Sequence, residues 1–209
     1  GLNITIPHKE KVVALLDDLK EDARLIGAVN TIEVKGTKLI GHNTDGRGFL
    51  RSLQKETTFR PKGKTFLIVG SGGAARAVGF SLALAGAREI LLNDLDIKKS
   101  ASLASDIRLK TTCQATSIRK EEIANAMASA HVLINATPLG LKKTDHLPLP
   151  KELIRSTHYV YDLVYNPPIT GLLREATIRR AATVSGIGML LYQGVIAFEI
   201  WTGRRAPVS

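Results

Sequence analysis

Glycines at positions 70 and 72 and an alanine at 75 follow the apolar run Thr65-Phe66-Leu67-Ile68-Val69 and open a run of small residues suited to a helix. This is the spacing G-x-G-x-x-G/A, and each position has a physical use. Gly70 permits a tight turn, Gly72 lets the backbone approach a pyrophosphate, and Ala75 lets the helix pack close to the strand. The helix start then offers unpaired N–H groups and a positive dipole end to phosphate. Gly70, Ser71, Gly72, Gly73, Ala74 and Ala75 are therefore candidates for holding a dinucleotide, with an ordinary glycine-rich connection as the alternative. Roughly 20 residues further on, Asp94 ends the next apolar run, where an acid bonds the adenosine ribose hydroxyls. A carboxylate there repels a 2′-phosphate, which favours NAD over NADP. Asp96 competes for that role, Lys98 and Lys99 would assist a phosphate, and Asp94 is alternatively a helix-start residue. Hydride transfer to a ketone also needs a proton donor and a cation beside the developing alkoxide. Lys9 and Asp45, each where a strand or turn meets a helix start, are the candidates.

The elements that must position these residues alternate regularly from residue 65 onward. Strands are expected at 65–69, 89–93, 132–135, 159–164 and 182–185, with helices at 74–85, 98–107 and 120–129, after Pro150 and from Thr170. Short apolar strands separated by helices imply a parallel sheet covered on both faces. Before it come a short strand ending at Pro7, an amphipathic helix near 9–19, strands at 28–34 and 38–41, and a helix from Arg47. The polar segment 54–63 reads as a boundary. A long apolar helix, 189–202, is expected to pack back on the first region. The fold class is α/β: a Rossmann-type doubly wound parallel sheet with part of a smaller α/β substrate domain. The division is residues 1–55 for substrate and catalysis, 62–186 for the dinucleotide, and 187–209 for the returning helix.

Composition narrows the partners. The 209 residues carry a formal charge of +10, which invites nucleic acid as a partner, but the basic residues are scattered and aromatics make up only 5%. No nucleic-acid-binding motif is present. A basic surface that attracts small anions fits better. No apolar run reaches the roughly 18 residues of a membrane span. The single Cys113 rules out an internal disulfide and points to the cytoplasm. His8, His42, His131, His146 and His158 lack metal-ligand spacing, so no metal is expected. Gly1 in place of Met, inside what reads as a strand, suggests a protein entered midway.

Seven segments then carry a resemblance. Gly1-Leu2-Asn3-Ile4-Thr5-Ile6-Pro7-His8-Lys9, Gly27-Ala28-Val29-Asn30-Thr31 and Asn43-Thr44-Asp45-Gly46 resemble the substrate-domain motifs of the shikimate dehydrogenase family. Gly70 to Arg76, Asn135-Ala136-Thr137-Pro138-Leu139-Gly140, Asp162-Leu163-Val164-Tyr165-Asn166-Pro167 and Gly188-Met189-Leu190-Leu191-Tyr192-Gln193-Gly194 continue it in family order. The resemblance implies reversible NAD(P)-dependent reduction of 3-dehydroshikimate to shikimate, in aromatic amino acid biosynthesis, by a monomer or homodimer. It makes Lys9 and Asp45 the catalytic pair, with Asn30 and Gln193 bonding ring hydroxyls and Thr5, Thr31 and Tyr165 near the same pocket. Read without it, Asn30 is a turn residue and Gln193 the polar side of a helix. It also places Asn93 beside the adenosine half, and Asn135, Ala136, Thr137, Leu163, Gly186 and Met189 near the nicotinamide. NADP-using members commonly carry Asn-Arg-Thr where this chain has Asn93-Asp94-Leu95, so it resembles the NAD-using quinate/shikimate branch. The family's N-terminal strand–helix segment, whose serines bind the substrate carboxylate, is expected to be missing from this sequence. Quinate dehydrogenase, a methylene-tetrahydrofolate dehydrogenase and a non-catalytic dinucleotide sensor are the rival readings.

Overall fold

The computed structural model describes residues 1–208. The chain opens with β1 (Leu2–Asn3), a single 3-10 segment Lys11–Leu15, β2 (Asp18–Leu19) and α1 (Glu21–Ile26). Then come β3 (Thr31–Lys35) and β4 (Lys38–His42), turned about Gly36. The four strands form a small sheet in the order β1-β3-β4-β2, antiparallel except for β2 beside β4.

The long helix expected near 9–19 is not formed. Val12, Val13, Leu16 and Leu19 have helical spacing, yet they pack as a cover on Ala23, Val29 and Ile32. Two aspartates end the helical turn. Asp17 accepts the Leu39 N–H and Asp18 accepts the Leu19 N–H and the Arg24 guanidinium, which draws the chain into pairing with β4. Aspartate competes with helical backbone bonding in this way.

After α2 (Asp45–Glu56) the chain enters the large sheet through β5 (Thr65–Val69), α3 (Gly73–Leu84), β6 (Glu89–Asn93), α4 (Ile97–Lys110), β7 (Gln114–Ser117), α5 (Ile123–Ser129) and β8 (Val132–Asn135). It ends with β9 (Tyr159–Asp162), α6 (Gly171–Ile178), β10 (Ala182–Ser185) and α7 (Gly186–Thr202). The six strands are parallel in the order β10-β9-β8-β5-β6-β7. Side chains alternate between faces, as the period of two requires. Phe66, Ile68, Ile90, Leu92 and Ile134 face α3, α4 and α2, whereas Leu67, Val69, Leu91 and Leu133 face α5 and α6. The strand order reverses between β5 and β8, and a ligand crevice belongs outside that switch point.

The sequence reading missed β7, whose residues Gln114 to Ser117 bury only Ala115 and so lack an apolar run. The helix expected after Pro150 is one 3-10 turn, Lys151–Leu153. α7 lies against α2, with Arg51 over the Tyr192 ring at 4.8 Å, and its Trp201 Nε1 donates to the Ile32 carbonyl of β3. Among the described residues no helix is long and apolar enough to cross a membrane.

Candidate active site

The turn after β5 is shaped by its glycines. Gly70 has φ 103°, and a Cβ there would lie 2.8 Å from the Ala136 carbonyl oxygen, so any side chain would strain the backbone and meet the neighbouring loop. Gly72 faces open space. Gly73 begins α3 so close to the small unit that an added Cβ would stand 3.0 Å from the Lys9 Cβ. Ser71 Oγ is the one buried side-chain polar atom without a hydrogen-bond partner among the described residues. Unpaired α3 amides, an orphaned hydroxyl and open space together fit a diphosphate. The turn forms one wall of a cleft of about 1300 Å³ that also includes Lys9, Asn93, Asp94, Ala136 and Thr137.

On the adenosine side, Asp94 Oδ1 accepts the Asp96 N–H, while Asp96 itself caps α4 through the Lys98 N–H. The helix-start role therefore belongs to Asp96, and Asp94 is held on the cleft wall. Asn93 donates to the Ile118 carbonyl and its own carbonyl accepts the Gly70 N–H, so it braces the turn. Lys99, Arg119 and Lys120 share this wall. Arg119 and Lys120 were not anticipated, because reading β7 was the step needed to place the residues that follow it on the strand-end rim.

The other end holds a compact polar cluster. Lys9 Nζ donates to Asp45 Oδ2 at 2.6 Å, with the two side chains 13% and 6% exposed. Asp45 is the first residue of α2, where a carboxylate meets the favourable end of the helix dipole. Its Oδ1 accepts from Asn30 Nδ2 at 2.9 Å, and the same amide reaches Gln193 Oε1 at 3.2 Å. Asn30 Oδ1 accepts the Thr44 N–H and the Thr31 hydroxyl. Asn43 fixes the turn from behind, donating to the Ala28 carbonyl and accepting the Asp45 N–H. Lys9 and Asn30, from two loops of the small unit, thus converge on one carboxylate, and Gln193 of α7 joins them through Asn30. Asn43 and Thr44 were read only as turn residues, although both are buried parts of this lattice.

Thr5 and Tyr165 are exposed, Tyr165 by 48%, and neither side chain joins the cluster. The Asn135 side chain is fully committed: it donates to the Leu139 carbonyl and Asp162, and accepts from the Thr137 N–H and hydroxyl. It shapes the loop from behind, and Ala136 and Thr137 face the cleft. Asp162 is buried beneath that loop, bonded by Thr170, the Val164 N–H and Asn135. Burial pushes its carboxyl above the ordinary range, against the pull of those donors. Leu163 and Gly186 touch through their backbones where β9 ends and α7 begins, and Met189 is buried in the core; none of the three lines the cleft.

Residues 1–32 match the family model described as the shikimate dehydrogenase substrate binding domain, and residues 186–209 the shikimate 5′-dehydrogenase C-terminal domain. The NADP(+) shikimate dehydrogenase of Methanopyrus kandleri is 47% identical over 213 residues, an alignment covering 100% of this chain and 73% of that protein. The shikimate 5-dehydrogenase of Listeria monocytogenes, solved with shikimate and NAD, superposes with a TM-score of 0.89 at 35% identity, covering 98% of this chain and 73% of that one. The quinate dehydrogenase of Corynebacterium glutamicum, solved with NAD, gives 0.90 at 33% identity with the same coverage. Identity of this level along the entire chain leaves one conclusion: the protein belongs to the shikimate dehydrogenase family.

Proposed function

We propose that the chain carries out reversible NAD(P)-dependent reduction of 3-dehydroshikimate to shikimate, in the cytoplasm, with Lys9 and Asp45 handling the proton. The observation that carries this is that Lys9, held by Asp45 at 2.6 Å, lines the same cleft as the phosphate turn. A bound dinucleotide supplies hydride to the ring carbonyl carbon. The Lys9 ammonium hydrogen-bonds the carbonyl oxygen and stabilises the charge that develops there. Asp45 keeps that ammonium aimed, and Asn30 fixes Asp45 from its other oxygen. Lys9 passes a proton to the carbonyl oxygen as the hydroxyl forms, and in the oxidative direction its neutral amine takes the hydroxyl proton back. Asn30 and Gln193 orient the ring through its hydroxyls, and the net charge of +10 favours approach of anionic substrates.

Ser71 Oγ and the α3 amides hold the pyrophosphate, and Asp94 accepts from the ribose hydroxyls. Its carboxylate disfavours a 2′-phosphate, which supports NAD as the preferred form; Lys99 and Arg119 on the same wall soften that preference. Quinate is a second substrate reading, favoured by the likeness to a quinate dehydrogenase solved with NAD. Absorbance at the reduced-cofactor band, followed with shikimate or quinate and NAD or NADP, tests all three points. NAD with shikimate is expected to give the highest kcat/KM. Asp94→Asn should shift the NADP-to-NAD ratio toward NADP by about tenfold, a change of about 1.4 kcal/mol. Cofactor binding without turnover of either acid would overturn the enzymatic reading.

A further inference from the structure

Arg76 sits one turn beyond the phosphate turn on α3, yet its side chain leaves the large sheet's unit. Its Nε donates to the Ile26 carbonyl at 2.7 Å, and its Nη2 to Asp106 Oδ2 of α4 at 2.6 Å. The guanidinium lies largely buried over the Phe80 ring. Ile26 is the last residue of α1, so the bond satisfies a carbonyl that the helix itself cannot. Lys110, at the end of α4, donates to the adjacent Leu25 carbonyl at 3.1 Å. Two cations from the dinucleotide unit thus cap the negative end of a helix in the small unit. Gly27 follows with φ 72°, and a Cβ there would stand 3.2 Å from Arg76 Nη2, so glycine makes room for the guanidinium.

Three residues after Gly27 the chain reaches Asn30 of the proton-handling cluster. Ala28 is buried, and its carbonyl takes the Asn43 amide. The Val29 N–H donates to the Lys9 carbonyl, and Asn30 holds Asp45 and Gln193. The same helix that begins at the phosphate turn is therefore fastened to the start of the segment that ends on Asn30.

We infer that Arg76 is a positioning residue for the reaction: it sets the distance between the phosphate turn and the Lys9–Asp45–Asn30 cluster. The inference rests on the dehydrogenase reading above. Arginine suits the task because its rigid fork serves two acceptors at once, one on each unit, which a lysine ammonium does less well. Loss of a merely stabilising ion pair would lower thermal stability and leave chemistry alone.

The test compares the protein with its Arg76→Met and Arg76→Lys variants. It reads kcat, the dinucleotide Kd, and the primary deuterium isotope effect with 4-deuterated reduced dinucleotide. Arg76→Met is expected to lower kcat about tenfold or more, because small misplacements at a reacting centre are costly. The isotope effect should change while the dinucleotide Kd stays within about twofold, and Arg76→Lys should fall between. Parent-like kcat and isotope effect in Arg76→Met, even with a lowered Tm, would overturn the inference. Should Arg76→Met not fold, parent-like values in Arg76→Lys would do the same. Should the unsubstituted protein fail to turn over shikimate or quinate, the functional reading falls and amide hydrogen exchange decides separately. Faster exchange at Val29 and Asn30 in Arg76→Lys is expected, and unchanged exchange would refute the fastening.

Discussion

A buried hydroxyl normally finds a partner, because leaving one unsatisfied costs about 1–3 kcal/mol. Ser71 Oγ has none, and it lies in the turn that faces the cleft. Ser71→Ala should therefore raise Tm slightly in the free protein while weakening dinucleotide binding about tenfold, the loss of a hydrogen bond to a charged group. Isothermal titration calorimetry and a melting curve separate the two effects; a binding constant equal to the parent's would remove Ser71 from the phosphate site. Asp162 shows the opposite situation, a buried carboxyl with every oxygen used. Burial raises its pKa in the folded state. The stability this group contributes is thus fully present below the unfolded aspartate pKa and is lost as pH rises through the raised folded value. Asp162→Asn removes that dependence, so its Tm relative to the parent should rise as pH goes from 4 to 7. A Tm difference that is flat or falls across that range would contradict the raised carboxyl. At this scale Lys9 and Asp45 were candidates from their places where a strand or turn meets a helix start, and Asn30 entered through the family resemblance alone. The commitment of Asn135 to its own loop was not legible, since nothing in Asn-Ala-Thr-Pro says which groups its amide will meet after the chain has folded.

Elements are where helix contacts decide the sign of a substitution. Gly48 lies within α2, and Gly→Ala in an exposed helix usually gains about 1 kcal/mol. Here the added Cβ would stand 2.7 Å from the Gln193 backbone nitrogen of α7. Gly48→Ala should instead cost about 1–3 kcal/mol through overpacking, lowering Tm by several degrees and disturbing Asp45 and Gln193 together. A raised Tm would show that α2 and α7 are less tightly apposed. β5, β6, β8 and β9 were readable because each holds a short apolar run; β5 and β8 are buried throughout. β7 escaped because it is an edge strand with one buried side chain, and the 9–19 region misled because the apolar spacing of a helix also served to cover a small sheet. Period alone cannot tell these apart once aspartates bond to a neighbouring strand's backbone.

At the scale of the whole molecule, two sheets bring together what each lacks. The parallel sheet supplies the phosphate turn and the cleft floor, and loops of the small sheet supply Lys9 and Asn30, while α2 and α7 carry Asp45 and Gln193 between them. This juxtaposition was only partly visible beforehand. The order of motifs implied it, but the closeness of Gly73 to Lys9 comes from packing. The most direct measurement is kcat for shikimate oxidation in Lys9→Met and Asp45→Asn, with dinucleotide Kd measured on the same samples. Both variants should bind the dinucleotide as the parent does and lose about 10²–10⁴-fold in kcat, the range expected for a lost acid–base group. A kcat within about threefold of the parent in either variant would contradict proton handling by the pair.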